Sequence, residues 1–301
     1  MKFPSYTTPR QKLWHFTYIG FCSLVLFFLV APLLVVIPLS FTNSPYLQFI
    51  PEMKIFSFET WSFNFDGYGT RWYKALIGVC DDNSGTTICT DRWMIGFKNS
   101  AIIAVFATFF ASVLGTLAAL GLSNRHVPFN RAIMALMISP MIVPLIITAS
   151  GMFFFFAKVN LVATLPGLII AHTILGIPFV LITVTASLSG FDNNLLRAGS
   201  SLGGSPLRNF FKIQAPLIAP GVISGGLFAF ITSFDEVVIV LFVGGPDQYT
   251  LPRQMWSGIR NEISPSILAA ATILVIFSIV LLTTLEMLRR RSDRIRGVSP
   301  H

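Results

Sequence analysis

Ala101–Leu122 reads AIIAVFATFFASVLGTLAALGL, a run without a single Asp, Glu, Lys or Arg. A helix rises 1.5 Å per residue and the hydrocarbon core of a bilayer is about 30 Å thick, so about 20 such residues cross it. The run is therefore long enough to span. Working outward, Tyr18–Phe41 and Ala132–Ala157 are equally free of charge, and Ile267–Leu288 carries one acid, Glu286, near its end. Leu161–Phe191 and Ala215–Gly245 are longer than one crossing needs. Each is predicted to include a turn or interfacial segment beside its crossing. Six crossings follow, and composition agrees: 53% of the 301 residues are hydrophobic and 11% charged, against about 25% charged in soluble domains. Mean hydropathy is +0.72. The fold class expected is an all-α membrane protein with six transmembrane helices.

Lys2, Arg10 and Lys12 precede the first run, as in a secretory signal. The run exceeds the roughly 7–15 residues of a signal's apolar region and lacks a small-x-small cleavage site, so it reads as a retained anchor. Orientation follows from counting. With an inside N-terminus, the inner segments hold Lys2, Arg10, Lys12, Arg125, Arg131, Arg197, Arg208, Lys212, Arg289, Arg290, Arg291, Arg294 and Arg296, 13 of the 21 basic residues. The outer segments hold the other 8, balanced by Glu52, Glu59, Asp66, Asp81, Asp82, Asp91, Asp247 and Glu262. This satisfies the positive-inside rule with both termini cytoplasmic. The net charge of +8 thus reads as topology and contact with anionic lipid, not nucleic-acid binding.

The segments expected are an inner stretch 1–17, a first crossing 18–41, an outer loop 42–99, a core 100–290 holding five crossings, and an inner tail 291–301. Trp61, Trp72 and Trp93 mark the outer loop as an aromatic cap on the membrane surface. Cys80 and Cys89 flank a polar stretch there and are candidates for a disulfide in an oxidising compartment, whereas Cys22 lies within the first crossing. The inner excursion 192–214 is predicted to be a helix, a sharp turn and a second helix. Asp192 or Asn193 can cap the first, Gly203 and Gly204 can end it, and Ser205 with Pro206 can start the next. Proline at 216 is expected to break the pattern before the fifth crossing.

This excursion resembles the cytoplasmic signature of the permease subunits of type I ABC importers, binding-protein-dependent inner-membrane components. The signature is Glu-Ala-Ala, then Leu-Gly, then a later Leu-Pro. Here it stands as Arg197, Ala198, Gly199, Ser200, Ser201, Leu202, Gly203, closed by Ala215 and Pro216. Arg197 replaces the usual Glu and Gly199 the usual Ala. Further on, Ser233, Phe234, Asp235, Glu236, Val237 and Val238, then Thr250, Leu251 and Pro252, then Met255, Trp256, Ile263, Ser264 and Pro265 resemble the second permease subunit of spermidine/putrescine-type systems. The resemblance implies a cytoplasmic coupling helix between the fourth and fifth crossings, with Arg197, Ala198, Gly199, Ser200, Leu202, Gly203, Ser205 and Pro206 contacting an ATPase. It also implies the partners: a second homologous permease, two ATPase subunits that bind ATP and Mg, and a periplasmic substrate-binding protein. The setting implied is a bacterial inner membrane.

Asp235 and Glu236 are consecutive acids in an apolar run, about 30 Å along the helix from Pro216. An acid in hydrocarbon costs around 3 kcal/mol on insertion scales, so such a pair normally faces a wet path or a basic partner. Adjacent helical residues point about 100° apart. One acid is therefore expected to line a cation path, with Phe234 beside it, and the other to make a structural bond. The alternative is that both are packing groups. His172, alone in the fourth crossing, reads as a hydrogen-bonded packing residue, and Gly221 with Gly225 as a close-approach face. Pro140, Pro144, Pro166 and Pro178 read as kinks, and Glu286 with Arg290 as a surface pair.

The sequence has no glycine-rich phosphate loop, no His-Glu-x-x-His and no cysteine pair at zinc spacing. No catalytic residue, metal site or cofactor is expected in this chain. Energy must come from another polypeptide. Besides a polyamine, the same importer plan admits an amino acid derivative, an opine, an aminophosphonate or ferric ion. A stand-alone secondary transporter would call for inverted repeats, and none is visible.

Overall fold

The computed structural model describes residues 8–47, 56–57, 62–63, 67–79, 92–123, 127–261 and 263–295. Its helices are α1 (Pro9–Ser40), α2 (Arg71–Leu76), α3 (Arg92–Leu122), α4 (Asn130–Ile142), α5 (Leu145–Lys158), α6 (Leu165–Ser189), α7 (Asn194–Ser201), α8 (Pro206–Asn209), α9 (Ala215–Asp235), α10 (Val238–Val243), α11 (Leu251–Asn261) and α12 (Pro265–Ile295). A two-residue antiparallel pair, Phe56–Ser57 with Ser62–Phe63, lies between α1 and α2. Among the described residues five helical stretches are long and apolar enough to span a membrane, and a sixth span arises if α4 and α5 are counted together. Cys80 and Cys89 lie outside the described residues.

Two compact units are formed, one by described residues of 1–89 with 263–274, the other by those of 90–262 with 275–301. In the first, Thr8 and Gln11 make a reciprocal capping box with Pro9 in the first turn, the arrangement that satisfies the free N–H groups of a helix start. At the far end of α1, Ser40 Oγ lies 2.6 Å from Tyr73 Oη and Trp72 Nε1 donates to Thr42 O at 2.8 Å. Among its described residues α1 buries Ser40 alone.

In the second unit α3, α6 and α9 pack against one another. Their contact faces are built from small side chains. On α3 they are Ala104, Ala107, Ala111, Gly115 and Ala119, spaced to lie on one side of the helix. A Cβ on Gly176 would stand 2.9 Å from Ala111 Cβ and 3.0 Å from Ala229 Cβ, and one on Gly115 would stand 2.7 Å from Val180 Cβ. In lipid, where burial between helices brings no hydrophobic gain, such close approach supplies the dispersion contact that holds them.

Breaks in the helices have local causes. Val143, forced by the following Pro144 into extended backbone (φ −68°, ψ 136°), parts α4 from α5 at a bend of 103°. The run Ala132–Ala157, uninterrupted in hydropathy, is therefore two helices joined at a sharp bend and not one straight crossing. The two over-long runs resolve as predicted: Leu161–Thr164 is a turn capped by Thr164, and the stretch after Asp235 turns into α10. Two expectations are corrected. Proline at 216 does not stop the helix, because Phe210–Gln214 forms a π turn in which Ala215 N–H donates to Phe210 O. That widening relieves the clash of the Pro216 ring with the carbonyl of Lys212, and the rod runs on from Pro206 to Asp235. Likewise α3 starts at Arg92, upstream of the apolar run, because Trp93, Gly96, Asn99 and Ser100 are buried by protein.

Gly225 tests the close packing of α6 and α9, since a Cβ there would stand 2.6 Å from Val180 Cα and 3.1 Å from Phe179 O. Gly225→Ala is expected to destabilise the protein by about 1–3 kcal/mol. Gly151→Ala, with no atom within 4 Å of its added Cβ, serves as the control. Thermal unfolding in detergent should separate the two variants.

Candidate functional site

Two regions of α9 and its flanks carry the residues singled out by sequence. At the start, α7 and α8 form a hairpin. Asp192 Oδ1 accepts from Asn194 N at 2.9 Å, and Ser205 Oγ accepts from Arg208 N at 3.3 Å with Pro206 in the first turn. The turn between them is a Schellman motif: Gly203 N–H donates to Ser200 O and Gly204 N–H to Gly199 O, both at 3.0 Å. Gly203 takes φ +81°, the left-handed backbone that costs an L side chain about 1–2 kcal/mol. Arg197, Ala198, Ser200, Leu202, Gly203, Ser205 and Pro206 are exposed, Leu202 at 89%. Gly199 is not; a Cβ there would meet Ile213 Cδ1 at 2.7 Å and Asn209 Oδ1 at 2.8 Å. Its smallness serves the chain's own packing.

At the other end of α9 the two acids part company. Glu236 is 8% exposed, and its Oε1 accepts from Val238 N at 2.6 Å and Ile239 N at 3.1 Å. A carboxylate on the first free N–H groups of α10 satisfies donors that lipid cannot, and it complements the helix dipole. Asp235, by contrast, is exposed, and makes no hydrogen bond or ion pair among the described residues. The helix break separates them. Asp235 ends α9 while Glu236 turns into extended backbone (φ −73°, ψ 126°).

Phe234 is buried in an aromatic stack, its ring 5.7 Å from that of Phe230 and 5.2 Å from that of Phe277. It is thus off the surface that carries Asp235. Next to it Ser233 Oγ lies 2.9 Å from His172 Nδ1, a buried bond that ties α6 to α9 two residues before Asp235. His172 is buried and hydrogen-bonded through Nδ1, in line with the sequence reading, while its Nε2 is buried without a hydrogen-bond partner among the described residues.

Sequence reasoning missed the clamp on the stretch after α10. Asn99 Nδ2 donates to Asp247 O at 3.0 Å and Tyr249 O at 2.9 Å, and Ser100 Oγ accepts from Leu251 N at 2.8 Å. Arg253 Nη1 donates to Gly245 O at 2.8 Å while its guanidinium lies 4.5 Å from the Tyr249 ring centre. The available signal was slight: two small polar residues, Asn99 and Ser100, opening an apolar run. Asn209 gave none. It stands among exposed neighbours and is nonetheless 6% exposed. No group of His, Cys, Asp or Glu among the described residues could hold a metal ion.

Membrane-length helices thus carry, at one end of one span, an exposed helical hairpin and, at its other end, an acid with no hydrogen bond or ion pair among the described residues. The sequence pattern of the family described as "Binding-protein-dependent transport system inner membrane component" matches residues 111–294, and the chain belongs to that family. It is 28% identical over 278 residues to the spermidine/putrescine transport system permease protein PotC of Escherichia coli (strain K12), covering 92% of this chain and 95% of the relative. To the putrescine transport system permease protein PotI of the same strain it is 29% identical over 284 residues, covering 90% of each. Among solved structures, a bacterial ABC transporter involved in import of the acidic polysaccharide alginate has a chain that matches with a TM-score of 0.70. Identity is 11%, over 94% of this chain and 99% of that one. The fold is therefore that of an ABC transporter membrane subunit. The chain is a transport subunit of the inner membrane, not an enzyme.

Removing the Asn99 amide would leave the carbonyls of Asp247 and Tyr249 without their donor. Asn99→Ala is expected to cost about 1–3 kcal/mol. It should also speed hydrogen exchange at the Leu251 amide, which the clamp protects. Unchanged exchange at Leu251 would show that the clamp does not hold this stretch.

Proposed function

We propose that this chain forms half of the translocation path of an ATP-driven importer for a small cationic solute of the polyamine class. The observation that carries the reading is the division of labour between the acids. Glu236 is occupied in starting α10, whereas Asp235, exposed at the end of a membrane-length helix, makes no hydrogen bond or ion pair among the described residues. A fixed negative charge attracts a passing cation by about 4 kcal/mol at 4 Å for an effective dielectric of 20, and less where water screens it. One such charge favours entry without trapping the solute. The names of the relatives at 28% and 29% identity, which carry spermidine and putrescine, support the cation.

In this reading both termini are cytoplasmic, as the distribution of basic residues favours. The α7–α8 hairpin then faces the cytoplasm and docks on an ATPase subunit through Arg197, Ala198, Leu202 and Gly203. Two ATPase subunits binding ATP and Mg, a second homologous permease and a periplasmic binding protein complete the importer.

Purified importer in proteoliposomes, supplied with binding protein and radiolabelled putrescine or spermidine, tests the charge. Asp235→Asn keeps the shape and is expected to lower uptake about three- to ten-fold at an unchanged amount of assembled complex. Glu236→Gln keeps an acceptor oxygen for the α10 amides and should reduce uptake less. Normal uptake by Asp235→Asn would remove the electrostatic role from this residue.

A further inference from the structure

Asn209 is buried where its surroundings are exposed, and nothing in the family signature calls for it. Its Nδ2 donates to Ser200 Oγ at 3.1 Å and to Gly204 O at 3.3 Å, so both amide hydrogens are used. Ser200 Oγ in turn donates to Leu196 O at 3.0 Å, which carries the chain of bonds into the middle of α7. On the other side, Asn209 Oδ1 lies over the bare Cα atoms of Gly199 and Gly204, where either glycine would collide with it if it bore a Cβ. Gly199 also receives the tip of Ile213 from the π turn. The departure of Gly199 from the usual Ala therefore has a physical reason in this chain: it makes room for Asn209.

The consequence is mechanical. α8 continues through the π turn into α9, forming one helical rod from Pro206 to Asp235. The covalent link between α7 and that rod is the four-residue turn Leu202–Ser205, in which Gly203 sits in the left-handed region. A turn of this kind alone would let α7 swivel. The Asn209 amide bridges α7, the turn and the rod with two hydrogen bonds, largely shielded from water. We infer that Asn209 is the positioning residue that makes the α7 hairpin and α9 one rigid body, so that displacement of α7 by an ATPase moves the Asp235 end of the same rod, and that Gly199 is the residue that admits it.

The inference rests on the reading of α7–α8 as the ATPase-docking hairpin, and its test keeps the two apart. In the reconstituted importer, ATP hydrolysis and solute uptake are measured together for the unaltered protein, Asn209→Ala, Gly199→Ala and the double variant. Retained co-purification of the ATPase with Asn209→Ala, but a fall of about five-fold or more in solute moved per ATP, is expected, since each of the two hydrogen bonds lost corresponds to a population shift of about five-fold. Gly199→Ala displaces the Asn209 amide and should lower the ratio similarly. In the double variant the two losses should not multiply in full, because the added methyl no longer meets the amide and meets only the flexible tip of Ile213. A normal solute-to-ATP ratio in Asn209→Ala, or losses that multiply in full in the double variant, overturns the inference. Should Asn209→Ala fail to assemble, Gly199→Ala, which deletes no hydrogen-bonding group, carries the test alone: a normal ratio overturns it. Failure of the docking reading looks different, since the unaltered chain would then show no ATP-driven uptake or would not bind the ATPase.

Discussion

The closest approach of α3, α6 and α9 is the contact on which the rest depends. Where Gly176 meets Ala111 and Ala229, three helices touch through backbone and methyl groups. Lipid tails are as apolar as leucine, so larger side chains would gain nothing by meeting there. Small ones let the backbones come near enough for dispersion to act across their length. α9 is seated along this line by Gly221 and Gly225 against α6, and the His172–Ser233 bond fixes it near its end. Both regions of functional interest hang from the two ends of that one helix.

The ends of α9 are irregular, and each irregularity is satisfied by the chain's own groups. At one end the π turn lets Pro216 stay within a continuous helix, while Asn209 and the Schellman turn close the hairpin beside it. At the other, Glu236 takes the free amides of α10. Non-helical backbone at membrane depth is tolerated where protein supplies the missing partners. Glu236 is such a partner, and the expense of burying it is offset by two amide hydrogen bonds that would otherwise go unmade. Asp235 has no comparable structural duty. Its exposed carboxylate at the end of a membrane-length helix is what draws the functional reading to it.

The match to the alginate transporter, at a TM-score of 0.70 and 11% identity, carries a second lesson. That transporter imports an acidic polysaccharide, while the permeases closer in sequence bear the names of amines. One helical frame thus accommodates solutes of opposite charge. Function in such a frame lives in its site, not in the packing of its core.

Hydropathy and charge in the sequence alone determined the all-helical membrane character of the chain, the helix–turn–helix form of residues 192–214 and the acid pair as the point of interest. These are properties of composition along the chain, set by the cost of placing charge in hydrocarbon and by the caps that Ser205, Pro206 and Gly203 provide. Tertiary structure decided the rest. Ala132–Ala157 is uniform in hydropathy, yet the steric demand of Pro144 on Val143 bends it by 103°. Asp235 and Glu236 are chemically near-identical neighbours, and the end of α9 between them sends one side chain to the amides of α10 and leaves the other exposed. Gly199 looked like part of a docking face and is held instead by Asn209, ten positions on. No pattern of spacing could predict that pairing, because it exists only once the turn at Gly203 has folded α8 back onto α7.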